Sequence, residues 1–236
     1  MSIDKKNFWE NKIINWEDIR YKNVSENLSF FERFVNRTNK TLKFRLKTAL
    51  EILKPLVKNK KIVEIGCGSG FLAQEILNAG AISYTGYDIS EKAITRAIEL
   101  SKKNDYSDRS NFYSNSILNI NSLNADYVFS LGLTDWLDDD ELDHLFKISK
   151  NSENLHSISE DRKTISQLLH KLYVFCSYGR KSKGYAPRYF KSKKISNMLN
   201  IHTGKKIFEY RNKKMSFGLF LSTFPIVTKI SKVQHD

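Results

Sequence analysis

The stretch VEIGCGSGFLAQEIL, residues 63–77, constrains this chain more than any other. A run of β-prone and apolar residues leads into glycines at 66, 68 and 70, and apolar residues then recur at helical spacing. The chain has ten glycines in 236 residues, so three within five positions mark a backbone with a special task. Glycine lets the main chain turn tightly and lets a ligand approach where a Cβ would collide. Between a strand end and a helix start, such a loop is expected to present free backbone N–H groups to a polar ligand at the carboxyl edge of a sheet. The spacing separates ligand classes. A nicotinamide-type G-x-G-x-x-G would need glycine at 71, where Phe71 stands.

The flanking pattern places this loop in an α/β chain. Short β-prone runs at 61–65, 82–87, 111–115, 126–130 and 155–159 alternate with helical patterns at 71–78, 90–103, 138–150 and 163–175. Alternation of this kind predicts a parallel sheet covered on both faces. A helix at 192–199 follows, and two further strands at 206–210 and 215–223 read as a hairpin. That gives a doubly wound, seven-stranded sheet, mostly parallel with one antiparallel terminal strand. Residues 1–58 read as an N-terminal helical cap, with Phe8, Trp9, Trp16, Phe30, Phe31 and Phe34 as packing anchors and a Leu stripe over 41–57 that Pro55 closes. The sheet domain is expected over 59–236, with a basic helix and loop insertion at about 160–200.

Glu64-x-Gly66-x-Gly68-x-Gly70 resembles motif I of the class I S-adenosylmethionine-dependent methyltransferases, an acidic residue followed by G-x-G-x-G. A second match is Asp88, which ends the next β-prone run 18 residues beyond Gly70. The resemblance covers about residues 60–160 and implies a Rossmann-like fold, S-adenosyl-L-methionine as donor and S-adenosyl-L-homocysteine as product. It implies that Asp88 holds the ribose, that Ile89 packs on adenine and that Glu64 answers the positive charge of the donor's amino-acid end. Cys67 fills space in the loop between Gly66 and Gly68, with no histidine near it in sequence. After the third strand the family has an acid near adenine; here Ser116 stands there, followed by Ile117. The fourth strand ends in Ser130 and Leu131, where donor and acceptor meet in the family.

The acceptor leaves fainter traces. The fourth strand does not end in the Asn/Asp-Pro-Pro-Tyr pattern of amino-directed nucleic-acid enzymes, and Cys176 lacks the Pro-Cys or Thr-Cys setting of pyrimidine-carbon enzymes. These absences leave oxygen of a small-molecule or glycan-type acceptor, the preferred reading, or an RNA enzyme of a less marked kind. The last third also resembles, loosely, the layout of magnesium-protoporphyrin O-methyltransferases. Asp135 and His156 are the candidate bases, although an N-cap role for Asp135 at the following helix is equally open. Trp136, Glu160, Tyr185, Arg188 and Tyr189 are candidate acceptor-binding residues, with Arg188 as a bidentate fork for an anionic group. No Asp, Glu, His or Cys set has metal-ligand spacing.

Charge is distributed unevenly. Residues 162–236 hold 17 Lys and Arg against two Asp and Glu, while residues 1–161 hold 22 against 24. Such an asymmetry suggests an anionic partner: a phosphorylated or carboxylated substrate, nucleic acid or an acidic membrane face. It keeps open an RNA methyltransferase and a non-catalytic methyltransferase-like binding protein. The apolar side of 163–175, with Arg180, Lys181 and Lys183 nearby, packs as a lid or on the sheet, or lies on a membrane surface. No apolar run reaches the roughly 18–20 residues that span a bilayer. The first residues lack a signal-peptide block, which places the expected compartment in the cytoplasm.

Overall fold

The computed structural model describes residues 4–21, 30–178 and 185–228. Its strands are β1 (Lys61–Ile65), β2 (Ser83–Asp88), β3 (Ser110–Ser114), β4 (Tyr127–Leu131), β5 (Glu153–Ser159), β6 (Phe208–Arg211) and β7 (Gly218–Ser222). They form one sheet in the order β3-β2-β1-β4-β5-β7-β6. The sheet reverses direction of growth at β1, so the crevice beyond the carboxyl ends of β1 and β4 is the place where such folds bind ligands. β7 runs antiparallel to both β5 and β6. The expected doubly wound sheet is therefore present, and its antiparallel strand is the last one among the described residues.

Period-two alternation sorts the strand side chains onto two faces. Ile62, Tyr84, Phe129, Leu155 and Phe220 point to one core, shared with α3 (Phe30–Leu53), α4 (Ala73–Asn78) and α5 (Glu91–Lys103). Val63, Ile65, Val128, Ile158, Leu219 and Leu221 point to the other, shared with α6 (Asp139–Ile148) and α8 (Ser192–Thr203). Each fully buried aliphatic or Phe side chain contributes roughly 1.5–3 kcal/mol. The central strands are covered on both sides, and this is what holds the strand ends in fixed relation. Ala49, Ile52 and Leu53 of α3 belong to the first core, so the end of the N-terminal helical region packs against the sheet.

The helix starts follow local chemistry. Ser90 caps α5 by accepting from the Ala93 amide at 3.2 Å. Asp138 caps α6, accepting from the Glu141 amide at 2.9 Å while Glu141 accepts from the Asp138 amide at 2.9 Å. Asp138, and not Asp135, is thus the cap of the acidic helix. α7 (Ile165–Tyr178) departs from the packed lid: Ile165, Leu168, Leu169, Leu172 and Phe175 are all exposed. Trp16, Phe30, Phe31, Phe34 and Cys176, and the loop that holds Arg180, Lys181 and Lys183, lie outside the residues or side chains described. No described helix is long and apolar enough to cross a membrane.

Candidate functional site

At the carboxyl edge of β1 the chain turns through the glycine loop into α4. Gly66, Gly68 and Gly70 have φ of +75°, +53° and +68°, the left-handed region that disfavours a side chain. The loop's amides, however, are already used within the protein. Gly66 and Cys67 donate to the Tyr87 carbonyl at 2.7 and 3.0 Å, and Gly70 donates to the Cys67 carbonyl at 2.9 Å. Gly68 donates to Asp88 Oδ2 at 2.9 Å, and Ser69 donates to Glu17 Oε1 at 2.9 Å. The expectation of free N–H groups is corrected: in this loop the glycines supply room, and the polar face they border is acidic.

Asp88 bridges two turns. Besides Gly68 it accepts from the Ser90 amide at 3.0 Å, so β2's end and α5's start are tied to the glycine loop by one carboxylate. Burial raises its pKa. Glu64 lies beneath the loop, 4% exposed, and accepts from the Tyr84 hydroxyl. Burial, together with the charges of Asp88 and Glu17, raises its pKa to about 8. Cys67 is buried, donates to the Gly68 carbonyl at 3.4 Å and has its thiol pushed well up by burial, so it is a packing residue with little thiolate.

These groups border a cavity of about 1120 Å³, including the part open to solvent. Glu64, Gly66, Cys67, Gly68, Asp88, Ile89, Ser116, Ile117 and Leu131 all line it. Gly70 and Ser130 do not. Gly70 supports the loop from below, where an added Cβ would meet Phe112 at 2.7 Å. The far wall is aromatic. Trp9 and Trp136 meet edge to face with centroids 4.8 Å apart, and Trp136 and Tyr185 lie 5.2 Å apart. The Trp9 indole donates to the Tyr185 hydroxyl at 3.2 Å, and that hydroxyl donates to the Trp136 carbonyl at 3.2 Å. Phe8 backs this wall, 5.1 Å from Tyr185.

Two of the five acceptor candidates, Trp136 and Tyr185, are brought to the cavity. The other three are engaged elsewhere. Glu160 pairs with Arg162 at 2.6 Å and Arg211 at 2.6 Å, which holds its carboxyl below the usual range. Arg188 donates to the Leu137 carbonyl at 2.6 Å and to Asp139, with its guanidinium over Phe190. Tyr189 bonds His170 and packs on Phe217, with centroids 5.5 Å apart. Neither candidate base lines the cavity. Asp135 accepts from the Ser159 amide at 2.7 Å and the Ser159 hydroxyl at 2.6 Å, fastening the β4 exit to β5. His156 is fully buried between Ser130 Oγ at 2.9 Å, Asn154 Oδ1 at 3.1 Å and the Phe146 ring. Burial lowers its pKa to about 3, so it stays neutral and unavailable for proton transfer with a ligand.

Sequence reasoning missed lining residues such as Leu133, Leu137 and Glu141, and above all those of the first two helices, α1 (Lys5–Glu10) and α2 (Ile13–Tyr21). Lys5, Ile13 and Glu17 line the cavity together with Trp9, which the sequence marks only as a packing anchor. Lys5 bridges Asp138 at 2.7 Å and Glu141 at 2.6 Å, Glu10 accepts from Ser90 Oγ at 2.8 Å, and Arg96 donates to Asp18 at 3.0 Å. These bonds strap both helices across the cavity from α6 to α5. Aromatic and acidic residues in NFWENKIINWED were the only trace of this in the sequence.

A family profile described as "Methyltransferase domain" matches residues 56–200, more than half of the chain. Among solved structures, magnesium protoporphyrin IX methyltransferase from Synechocystis PCC 6803, determined with bound S-adenosylhomocysteine, is 17% identical. It superposes with a TM-score of 0.65 over 92% of this chain and 96% of that one. The mitomycin 7-O-methyltransferase is 15% identical, with a TM-score of 0.57 over 88% of this chain and 59% of that one. Among curated sequences, the ribosomal protein L11 methyltransferase of Shewanella baltica (strain OS185) is 39% identical over 57 residues. That segment is 24% of this chain and 20% of the relative, so the chain spans about a fifth of the curated relatives it matches.

Proposed function

The chain belongs to the methyltransferase-domain family, as a class I member that uses S-adenosyl-L-methionine, and from that premise we propose that it methylates oxygen on a small molecule with a flat, largely apolar body. The observation that carries this reading is the division of one cavity into an acidic end and an aromatic end. At the acidic end, Glu64 is a buried carboxyl whose hydrogen-bonding partner is a tyrosine hydroxyl rather than a cation, beside a loop that side chains would fill. A ligand with a ribose, an ammonium and a sulfonium fits this donor set. Asp88 would take the ribose hydroxyls, Ile89 and Ile117 would flank the adenine with Ser116 at its edge, and Glu64 would face the amino-acid end. When bound, the donor supplies a methyl group activated by the sulfonium.

The chain's own contribution is alignment and exclusion of water. The aromatic wall of Trp9, Trp136 and Tyr185 offers stacking faces to a planar acceptor, and Leu133 and Leu137 complete an apolar lining. Among the described lining residues there is no histidine, and the four acidic side chains, Glu17, Glu64, Asp88 and Glu141, are each already hydrogen-bonded. An oxygen that ionises without help, a phenol-type hydroxyl or a carboxyl group, suits such a site. Lys5 is the single described cation in the lining, and with Arg188 engaged outside, any anionic group of the acceptor would have to share Lys5 with Asp138 and Glu141. The acceptors named for the relatives of similar fold, magnesium protoporphyrin IX and mitomycin, are small molecules.

The test is methyl transfer from tritiated S-adenosylmethionine to parallel panels of phenols, aromatic carboxylic acids, RNA and ribosomal protein. Label in the first two panels, lost in Trp136→Ala, is the expected result. Label confined to RNA or protein, with activity that falls steeply with salt, would overturn the small-molecule reading.

A further inference from the structure

Glu17 stands apart from the other acids of the cavity. It comes from α2, before the segment matched by the family profile, yet its side chain is 3% exposed and borders the glycine loop. Its carboxylate accepts from the Ser69 amide at 2.9 Å and from the Ser69 hydroxyl at 2.5 Å. A Cβ at position 68 would strike Glu17 Oε1, so only glycine there admits it. The neighbouring amide, that of Gly68, holds Asp88. Two carboxylates therefore sit on successive amides of one loop, with Glu64 buried beneath. Burial raises the pKa of both Glu17 and Glu64, with Asp88 adding to the first shift and Asp88 and Glu17 to the second. The one basic group paired with Glu17 among the described residues is Arg96, whose Nη1 lies 3.8 Å from the carboxylate while its Nη2 donates to Asp18 at 3.0 Å. Two buried acids, Glu17 and Glu64, beside the half-buried Asp88 share the single guanidinium of Arg96, and such a cluster is costly unless a further cation joins it.

We propose that Glu17 is a donor-binding residue: α2 sets its carboxylate against the glycine loop to face the ammonium end of S-adenosylmethionine, which makes the N-terminal helices part of the donor site. The inference rests on the methyl-donor reading above and adds a residue and a helix to it. The loop's amides are occupied and its border is acidic, so the site receives the cationic part of the donor's amino-acid end. The straps from Lys5, Glu10 and Asp18 hold α1 and α2 over the cavity, and a ligand that also engages Glu17 ties them further.

The test compares two probes by calorimetry, S-adenosylhomocysteine and 5′-methylthioadenosine, which has the nucleoside but no amino-acid end. Glu17→Gln keeps an acceptor for Ser69 and removes the charge. It is expected to weaken S-adenosylhomocysteine about tenfold or more and to leave 5′-methylthioadenosine within about twofold. In the wild type, S-adenosylhomocysteine should slow amide exchange across Ile13–Tyr21 more than 5′-methylthioadenosine does, a readout that needs no variant. Equal weakening of both probes, or equal protection by both, would make Glu17 a structural pin and overturn the proposal. Tighter S-adenosylhomocysteine binding in Glu17→Gln would make Glu17 a competitor for the loop, with the same consequence. Failure of the wild type to bind S-adenosylhomocysteine at all would instead sink the donor reading itself.

Discussion

Replacing Gly68 by alanine tests the loop and the helix above it together. Two costs arise. Alanine at φ +53° gives up roughly 1–2 kcal/mol in the left-handed region. The new methyl also drives into Glu17 Oε1, and moving that carboxylate breaks its bonds to the Ser69 amide and hydroxyl. Hydrogen bonds to a charged group contribute about 1.5–3 kcal/mol each, and part of this is recovered as water reaches the freed groups. The sum is a loss of about 3–5 kcal/mol, a large share of the roughly 5–15 kcal/mol of a typical domain. Gly132 is the internal control. Its φ is +75°, but an added Cβ there meets nothing within 4 Å, so Gly132→Ala should cost only the backbone part, about 1–2 kcal/mol. Urea unfolding followed by tryptophan fluorescence measures both. Combining Gly68→Ala with Glu17→Ala removes the collision, and the double variant should be about 2 kcal/mol more stable than additivity predicts. If Gly68→Ala costs no more than Gly132→Ala, Glu17 does not sit on the loop and the acidic pocket as described is wrong.

Two further outcomes follow from ionisation. Glu64, with its pKa raised from 4.5 to about 8, is protonated at pH 7, and a bound cation favours its ionised form. Binding of S-adenosylhomocysteine near pH 7 should therefore release protons, visible as a dependence of the calorimetric heat on the buffer's ionisation enthalpy. Glu64→Gln should abolish that release, and an unchanged release would place the proton elsewhere. His156 is shifted the other way, from 6.5 to about 3. The unfolded chain binds its proton below about pH 6.5 while the folded chain does not, so this contribution to stability is present above 6.5 and lost as pH falls toward 3. The urea midpoint should drop through that window, and His156→Gln should flatten the drop; an equally steep drop in the variant would show that other groups carry it.

The order of elements was readable because it rests on short-range rules. Strand and helix periods, the glycines at 66, 68 and 70, the Ser90 cap and the acid at Asp88 all act within a few residues of themselves, and each is where the pattern placed it. The motif residues at the acidic end of the cavity were readable for the same reason, since loop and acid belong to consecutive βα units. The candidate acceptor residues were less legible. Asp135, His156, Arg188 and Tyr189 sit at plausible distances in sequence from the strand ends, but their availability depends on what else reaches them. Ser159, Asn154, Asp139 and His170 did, and consumed them in packing.

What the sequence determined by itself is the sheet, its turning point and a glycine turn flanked by acids, because backbone geometry and burial period are written locally. Which acids and rings border the cavity was decided only in three dimensions. Glu17 and Ser69 are 52 residues apart, and Trp9 and Tyr185 are 176 apart. Contacts over such separations are chosen by how two helices lie across a finished sheet edge, and no local spacing encodes that.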